Sequence, residues 1–235
     1  MEEHLIVALD ASSMSAMEKI VLALGDSVSY YKVGMELFYA TGGQAVPCLL
    51  QAGKKVFLDL KLHDIPNTVG QSMAVLTGLG VSMLNLHAGG GLTMMRRARE
   101  AVDKASAGNG AKRPLLLAVT VLTSIGQEEW QNLHMPGEIG AQVVHLAQLA
   151  QKAGMDGVVA SPQEAASIRA ACGREFLIVT PGIRPAGSAE SDQQRIATPR
   201  GAIRAGASYL VVGRPITGAK NPTAMVQKII GEMGD

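Results

Sequence analysis

The sequence predicts an α/β fold, a single (β/α)8 (TIM) barrel with residues 1–235 as one domain. Three observations predict it. Short, strand-like apolar runs alternate with helical stretches along the chain. Eight such runs fit the 235-residue length. A weak repeat, Ala or Leu followed by Gly, stands just before several of the runs.

The runs are Leu5–Leu9, Tyr30–Val33, Val56–Leu60, Met83–Leu86, Leu115–Leu122, Gly157–Ala160, Phe176–Thr180 and Tyr209–Val212. Most are apolar at consecutive positions, which suits parallel strands covered on both faces. Gly53, Gly80, Gly154 and Gly206 precede the third, fourth, sixth and eighth runs, where a helix ends in a left-handed cap. Ser12-Ser13 opens a helix over Met14–Leu24, and Ser161-Pro162 opens one over Gln163–Ala171 with Pro at the first helical position. A doubly wound open sheet is the alternative, but no G-x-G-x-x-G follows the first run. Ala105–Arg113 and Pro185–Pro199 read as surface loops, and nothing reads as a linker.

Composition narrows the function. Hydrophobic residues make up 47% of the chain, enough for a sizeable core. With 21 basic and 20 acidic residues the net charge is +1, which argues against an electrostatic grip on nucleic acid or an anionic membrane. Cys48 and Cys172 cannot form a disulfide framework, and no H-E-x-x-H, paired-Cys or His-cluster spacing suggests a metal site. The acidic start, Met1-Glu2-Glu3, has no signal-peptide character. The longest apolar run is far short of the roughly 20 residues that span a bilayer. A soluble, cytoplasmic protein is the expectation.

Barrel active sites form at the C-terminal ends of the strands. Those ends carry Asp10, Lys32, Asp59, Lys61, His87, Thr123, Thr180 and Arg214. In the third run, alternation puts Asp59 and Lys61 on one face and Val56, Leu58 and Leu60 on the other. The aliphatic set packs on helices, which aims Asp59 and Lys61 into the mouth. An isolated D-x-K-x-x-D is usually a solvated turn. Here Lys32 and Asp10 end the two preceding runs, and an alternating Lys32, Asp59, Lys61, Asp64 set neutralises itself. A contact at about 4 Å is worth about 4 kcal/mol at an effective dielectric of roughly 20. Structural cores rarely bury so many charges, so chemistry explains the set better than stability.

After the seventh and eighth runs come Thr180-Pro181-Gly182-Ile183-Arg184 and Val212-Gly213-Arg214-Pro215. These loops often hold a phosphate through backbone N–H groups, with Arg184 and Arg214 adding charge-assisted bonds. His87 could line the pocket or be structural. The remaining histidines, His63 among them, read as surface or supporting residues.

Asp59-Leu60-Lys61-Leu62-His63-Asp64-Ile65-Pro66-Asn67-Thr68 resembles the signature of the orotidine 5′-phosphate decarboxylase family. The resemblance runs along nearly the whole chain, through Ala8-Leu9-Asp10, Tyr31-Lys32-Val33-Gly34, Val121-Leu122-Thr123-Ser124, Pro181–Pro185, Asp192-Gln193 and Val212–Ile216, in order and spacing. It implies decarboxylation of orotidine 5′-monophosphate to UMP, the last step of de novo pyrimidine synthesis. It also implies a homodimer with shared sites and no metal or organic cofactor.

Carried over by motif, Lys61 protonates C6, Asp59 sits beside the substrate carboxylate, and Lys32 holds the array and a ribose hydroxyl. Asp10 binds the ribose, as do Asp64 and Thr68 across the dimer, with Ile65 in the same binding segment. Thr123 contacts the pyrimidine, while Arg184, Gln193, Gly213 and Arg214 hold the phosphate and Gln193 closes a loop. The nearest rival, the Mg2+-dependent 3-keto-L-gulonate 6-phosphate decarboxylase, shares D-x-K-x-x-D but typically has Glu where Lys32 stands. A Schiff-base aldolase using Lys61 and a non-catalytic phosphoribosyl-binding protein are the other readings.

Overall fold

In the computed structural model eight parallel strands close into one barrel in sequence order. They are β1 (Leu5–Leu9), β2 (Tyr30–Gly34), β3 (Lys55–Leu62), β4 (Met83–His87), β5 (Leu115–Val119), β6 (Gly157–Val159), β7 (Leu177–Thr180) and β8 (Tyr209–Val212). β8 pairs back onto β1, with Val7 beside Val212. The structure describes residues 2–109, 112–185 and 197–234.

The alternation of each strand divides the core in two. Outward side chains such as Val7, Val33, Leu58, Leu84 and Ile178 are buried against the surrounding helices. Inward side chains, among them Ile6, Tyr30, Phe57, Met83 and Leu117, form a separate apolar cluster that fills the barrel floor. Two residues further along β2, β3 and β4, the same inward parity reaches Lys32, Asp59 and Asn85. A polar layer therefore rests on an apolar one. At the start of β6, Gly157 is required by space: a Cβ there would lie 2.3 Å from the Leu177 carbonyl oxygen on β7.

Gly53, Gly80, Gly154 and Gly206 all have positive φ, as the repeat predicts. The helix Met14–Leu24 starts as predicted, with the Ser13 hydroxyl accepting from the Ala16 N–H at 3.3 Å. Most strand ends shift by a residue or two from the sequence reading, and three differences have a clear physical reason. β5 ends at Val119, and Val121 and Leu122 belong to the loop beyond it. The helix after β6 begins at Ala165, because Ser161 accepts from the Gln163 N–H at 3.1 Å and holds Pro162 in a preceding turn. Ala105 to Asn109 is not loop but the last turns of the helix Gly91–Asn109. Met94, Ala98, Val102 and Ser106 make a buried stripe of period four there, and the Ser106 hydroxyl donates to the Val102 carbonyl at 2.9 Å.

Candidate active site

A cavity of about 290 Å3 opens at the C-terminal end of the barrel. Asp10, Lys32, Asp59 and Lys61 line it, together with Thr123, Arg184, Gly213 and Arg214. Its size suits a small molecule.

Asp59 is its electrostatic centre and only 6% exposed. The Lys61 Nζ lies 2.8 Å from Asp59 Oδ1, and the Lys32 Nζ 3.3 Å from Oδ2. Lys32 also reaches Asp10 Oδ1 at 3.5 Å. The alternating chain is therefore Asp10, Lys32, Asp59, Lys61. Asp64, which the sequence reading put at its end, makes no ion pair among the described residues. It is exposed, and its Oδ1 accepts the Ile65 N–H at 2.6 Å. Burial alone would raise the Asp59 pKa, but Lys32, then Lys61, and the hydrogen bonds from Lys61 and Asn85 outweigh it. The carboxyl is held below its ordinary range.

The β3 backbone is irregular at this point. β3 pairs with β4 at Leu58–Leu84 and next at Leu62–Leu86, so β3 carries two extra residues in the interval. Lys61 sits in this bulge with φ +51, a left-handed conformation unusual for a residue with a Cβ. Asn85, across on β4, meets both consequences. Its Oδ1 accepts the Lys61 N–H at 2.8 Å, and its Nδ2 donates to Asp59 Oδ1 at 2.6 Å. The sequence reading passed over Asn85. Its signal was a lone amide inside the apolar run Met83–Leu86, on the inward parity of Met83.

The loops after β7 and β8 bring Arg184, Gly213 and Arg214 to the same cavity. Ile183 bridges Ala197, with the Arg184 N–H donating to the Ala197 carbonyl at 2.9 Å, so both ends of that long loop are tied together. Gln193 lies outside the described residues, as does most of the Pro185–Pro199 loop. Gly213 keeps the wall thin: a Cβ there would lie 3.1 Å from Asp10 Oδ2.

Other candidates lie elsewhere. Thr180 is fully buried, and its hydroxyl donates to the Tyr209 carbonyl at 3.3 Å. His87 does not line the cavity; it packs on His63 with ring centroids 5.4 Å apart. Burial, then the neighbouring His63 and Lys61, lowers its pKa. Asp64, Ile65 and Thr68 are exposed at the rim and do not line their own chain's cavity.

A carboxylate held ionised between two ammonium groups, with two arginines across the same small cavity, is an arrangement able to bind an anionic small molecule and to stabilise negative charge developing on it. That makes this chain a (β/α)8-barrel enzyme of small anionic substrates. It belongs to the orotidine 5′-phosphate decarboxylase / HUMPS family, which matches residues 3–229. It is 48% identical over 233 residues to the orotidine 5′-phosphate decarboxylase of Moorella thermoacetica, covering 99% of this chain and 92% of that one. The Carboxydothermus hydrogenoformans enzyme of the same name is 49% identical, with 99% and 97% covered. The crystal structure of orotidine 5′-phosphate decarboxylase from Lactobacillus acidophilus superposes with a TM-score of 0.87 at 42% identity, covering 98% of this chain and 99% of that one.

Proposed function

We propose that this protein decarboxylates orotidine 5′-monophosphate to UMP and CO2, the last step of de novo pyrimidine synthesis, and does so in the cytoplasm as one domain. The observation that carries the mechanism is the ammonium of Lys61 held 2.8 Å from a buried carboxylate at the cavity wall. The C6–carboxylate bond breaks, CO2 leaves, and the electron pair stays on C6. The pyrimidine ring delocalises that pair poorly, so the site must stabilise it directly. Lys61 places positive charge beside C6 and donates the proton that forms the C6–H bond. Solvent then reprotonates the Lys61 amine.

Asp59 holds both lysines and stands next to the departing carboxylate. Lys32 and Asp10 bind ribose hydroxyls, Thr123 contacts the pyrimidine edge, and Arg184, Gly213 and Arg214 hold the phosphate with Gln193. Phosphate contact far from C6 supplies binding energy that orders the site. Asp64, Ile65 and Thr68 complete the site of a second subunit in a homodimer. Their exposure at the rim supports this, as do the exposed apolar side chains of Ile65 (67%) and Tyr39 (68%) in segments after β3 and β2.

The Mg2+-dependent sugar-phosphate decarboxylase reading is not favoured. The Lys32 ammonium lies 3.5 Å from Asp10 and 3.3 Å from Asp59, so it already neutralises the carboxylates a divalent cation would need. The test is CO2 release from orotidine 5′-monophosphate after exhaustive EDTA treatment. Full activity is expected; complete loss restored by Mg2+ would favour the other reading.

A further inference from the structure

Asn85 is 1% exposed, lies beneath the cavity, and has both of its polar atoms engaged by the site. We propose that Asn85 is a positioning residue for decarboxylation, a single amide that fixes the Asp59 carboxylate and the Lys61 backbone relative to each other.

The register shift in β3 makes such a residue necessary. Between Leu58 and Leu62 the ladder to β4 slips by two residues, and the Lys61 N–H turns toward a side chain instead of a strand carbonyl. A donor there fixes which end of the Asn85 amide faces it: the oxygen must accept from Lys61, which leaves the NH2 group for Asp59. The amide orientation is thus dictated by its partners. Asp59 Oδ1 receives Asn85 Nδ2 at 2.6 Å and Lys61 Nζ at 2.8 Å, so the Lys61 side chain meets that oxygen directly and its main chain is tied to it through the Asn85 amide. Without Asn85, a partly buried N–H loses its acceptor, and Lys61 loses the contact that holds its left-handed backbone. Asp59 Oδ1 then keeps only the mobile Lys61 ammonium, and its position is no longer tied to the β4 strand. Lys61 is the proton donor, and displacement of a catalytic group by about 1 Å can cost on the order of 100-fold in rate.

The inference rests on the decarboxylase reading, and two variants separate them. In Asn85→Ala, kcat should fall about 10- to 100-fold while KM and UMP affinity change by less than about threefold. The acid limb of kcat/KM should move to higher pH, because Asp59 has lost a donor that favours its ionised form. The Asp59 carboxyl, followed by carbon-13 NMR, should titrate at higher pH in the variant. That readout tests the clamp even if wild type fails to release CO2, an outcome that would remove the decarboxylase reading alone.

Asn85→Asp keeps the shape and serves if the alanine variant does not fold. Protonated, its carboxyl can donate O–H to Asp59 and accept the Lys61 N–H; ionised, it repels Asp59. Its activity relative to wild type should therefore rise as the pH is lowered from about 8 to about 5.5, where one shared proton is retained. The proposal is overturned if Asn85→Ala keeps kcat within about twofold of wild type. It is equally overturned if the Asp59 titration is unmoved, or if the Asn85→Asp ratio is flat with pH.

Discussion

Lys61 Nζ lies 2.8 Å from Asp59 Oδ1, two positions back on the same strand, although the Lys61 backbone has left the extended conformation with φ +51. On a regular strand, side chains two apart stand roughly parallel and their polar ends stay separated. The bulge tilts Lys61 toward Asp59 and still leaves it on the cavity wall. The same departure from ideal geometry that makes the ion pair also sets the direction of the ammonium.

Lys32 should control the charge state of Asp59. The charge of Lys32 is the largest single influence that lowers the Asp59 pKa. Lys32→Met should therefore shift the acid limb of kcat/KM upward, measured from about pH 4 to pH 8. In the wild type the depressed pKa also contributes stability. That contribution is present above the unfolded Asp value of about 3.9 and is lost as the pH falls through the native pKa. An acid limb unmoved by Lys32→Met would show that Asp59 does not govern it.

Asp64 should act across the dimer. When Lys61→Ala and Asp64→Asn homodimers exchange subunits, each mixed dimer has one intact and one doubly damaged site. About half the dimers are mixed, so activity should recover to roughly a quarter of wild type. Crosslinking the homodimers beforehand should abolish recovery. Free exchange with no recovery would place Asp64 in the site of its own chain.

At the opposite end of the barrel, Asp156 holds strands and not substrate. Arg113 donates to it through Nη1 at 2.8 Å and Nη2 at 2.7 Å, and the Leu116 N–H donates at 2.7 Å. Burial would raise its pKa, but Arg113 and the Leu116 N–H lower it. Asp156→Asn should lose about 1.5–3 kcal/mol at pH 7, a fall in Tm of roughly 5 °C, with kcat unchanged. The difference should shrink as the pH falls through the native pKa of Asp156, where the wild type also becomes neutral. Thermal unfolding across pH checks both.

Gly157→Ala should fail to fold or lose more than about 3 kcal/mol. Its Cβ would meet a β7 carbonyl oxygen at 2.3 Å, and backbone on a closed barrel cannot step aside. Circular dichroism and yield in the soluble fraction would show it. A variant as stable as wild type would mean that β6 and β7 can separate.

Much of this was legible in the sequence because consecutive apolar runs and Gly caps are local signals. All eight strands fall on runs read from the chain, and the inward aim of Asp59 followed from alternation alone. What escaped were effects set by contacts between distant segments. Leu115–Leu122 read as one strand, but β6 is only three residues long, so β5 has a partner only as far as Val119. Gly108 and its small neighbours read as loop, while burial of Val102 and Ser106 keeps that turn helical. Asn85 was hidden because nothing in its neighbourhood reveals a bulge on the adjacent strand. Position at the end of β4 left His87 open between pocket and structure, and its contact with the ring of His63 decides for structure.

The central claim is that the Lys61 ammonium carries the chemistry while the rest of the cavity carries the binding. Single-turnover CO2 release by Lys61→Ala, with UMP affinity measured on the same sample, tests it most directly. Release should slow by about 10,000-fold or more, since proton donation and charge stabilisation are lost together. UMP affinity should stay within about tenfold, because Arg184 and Arg214 are untouched. A variant that releases CO2 within about tenfold of the wild-type rate would contradict the account.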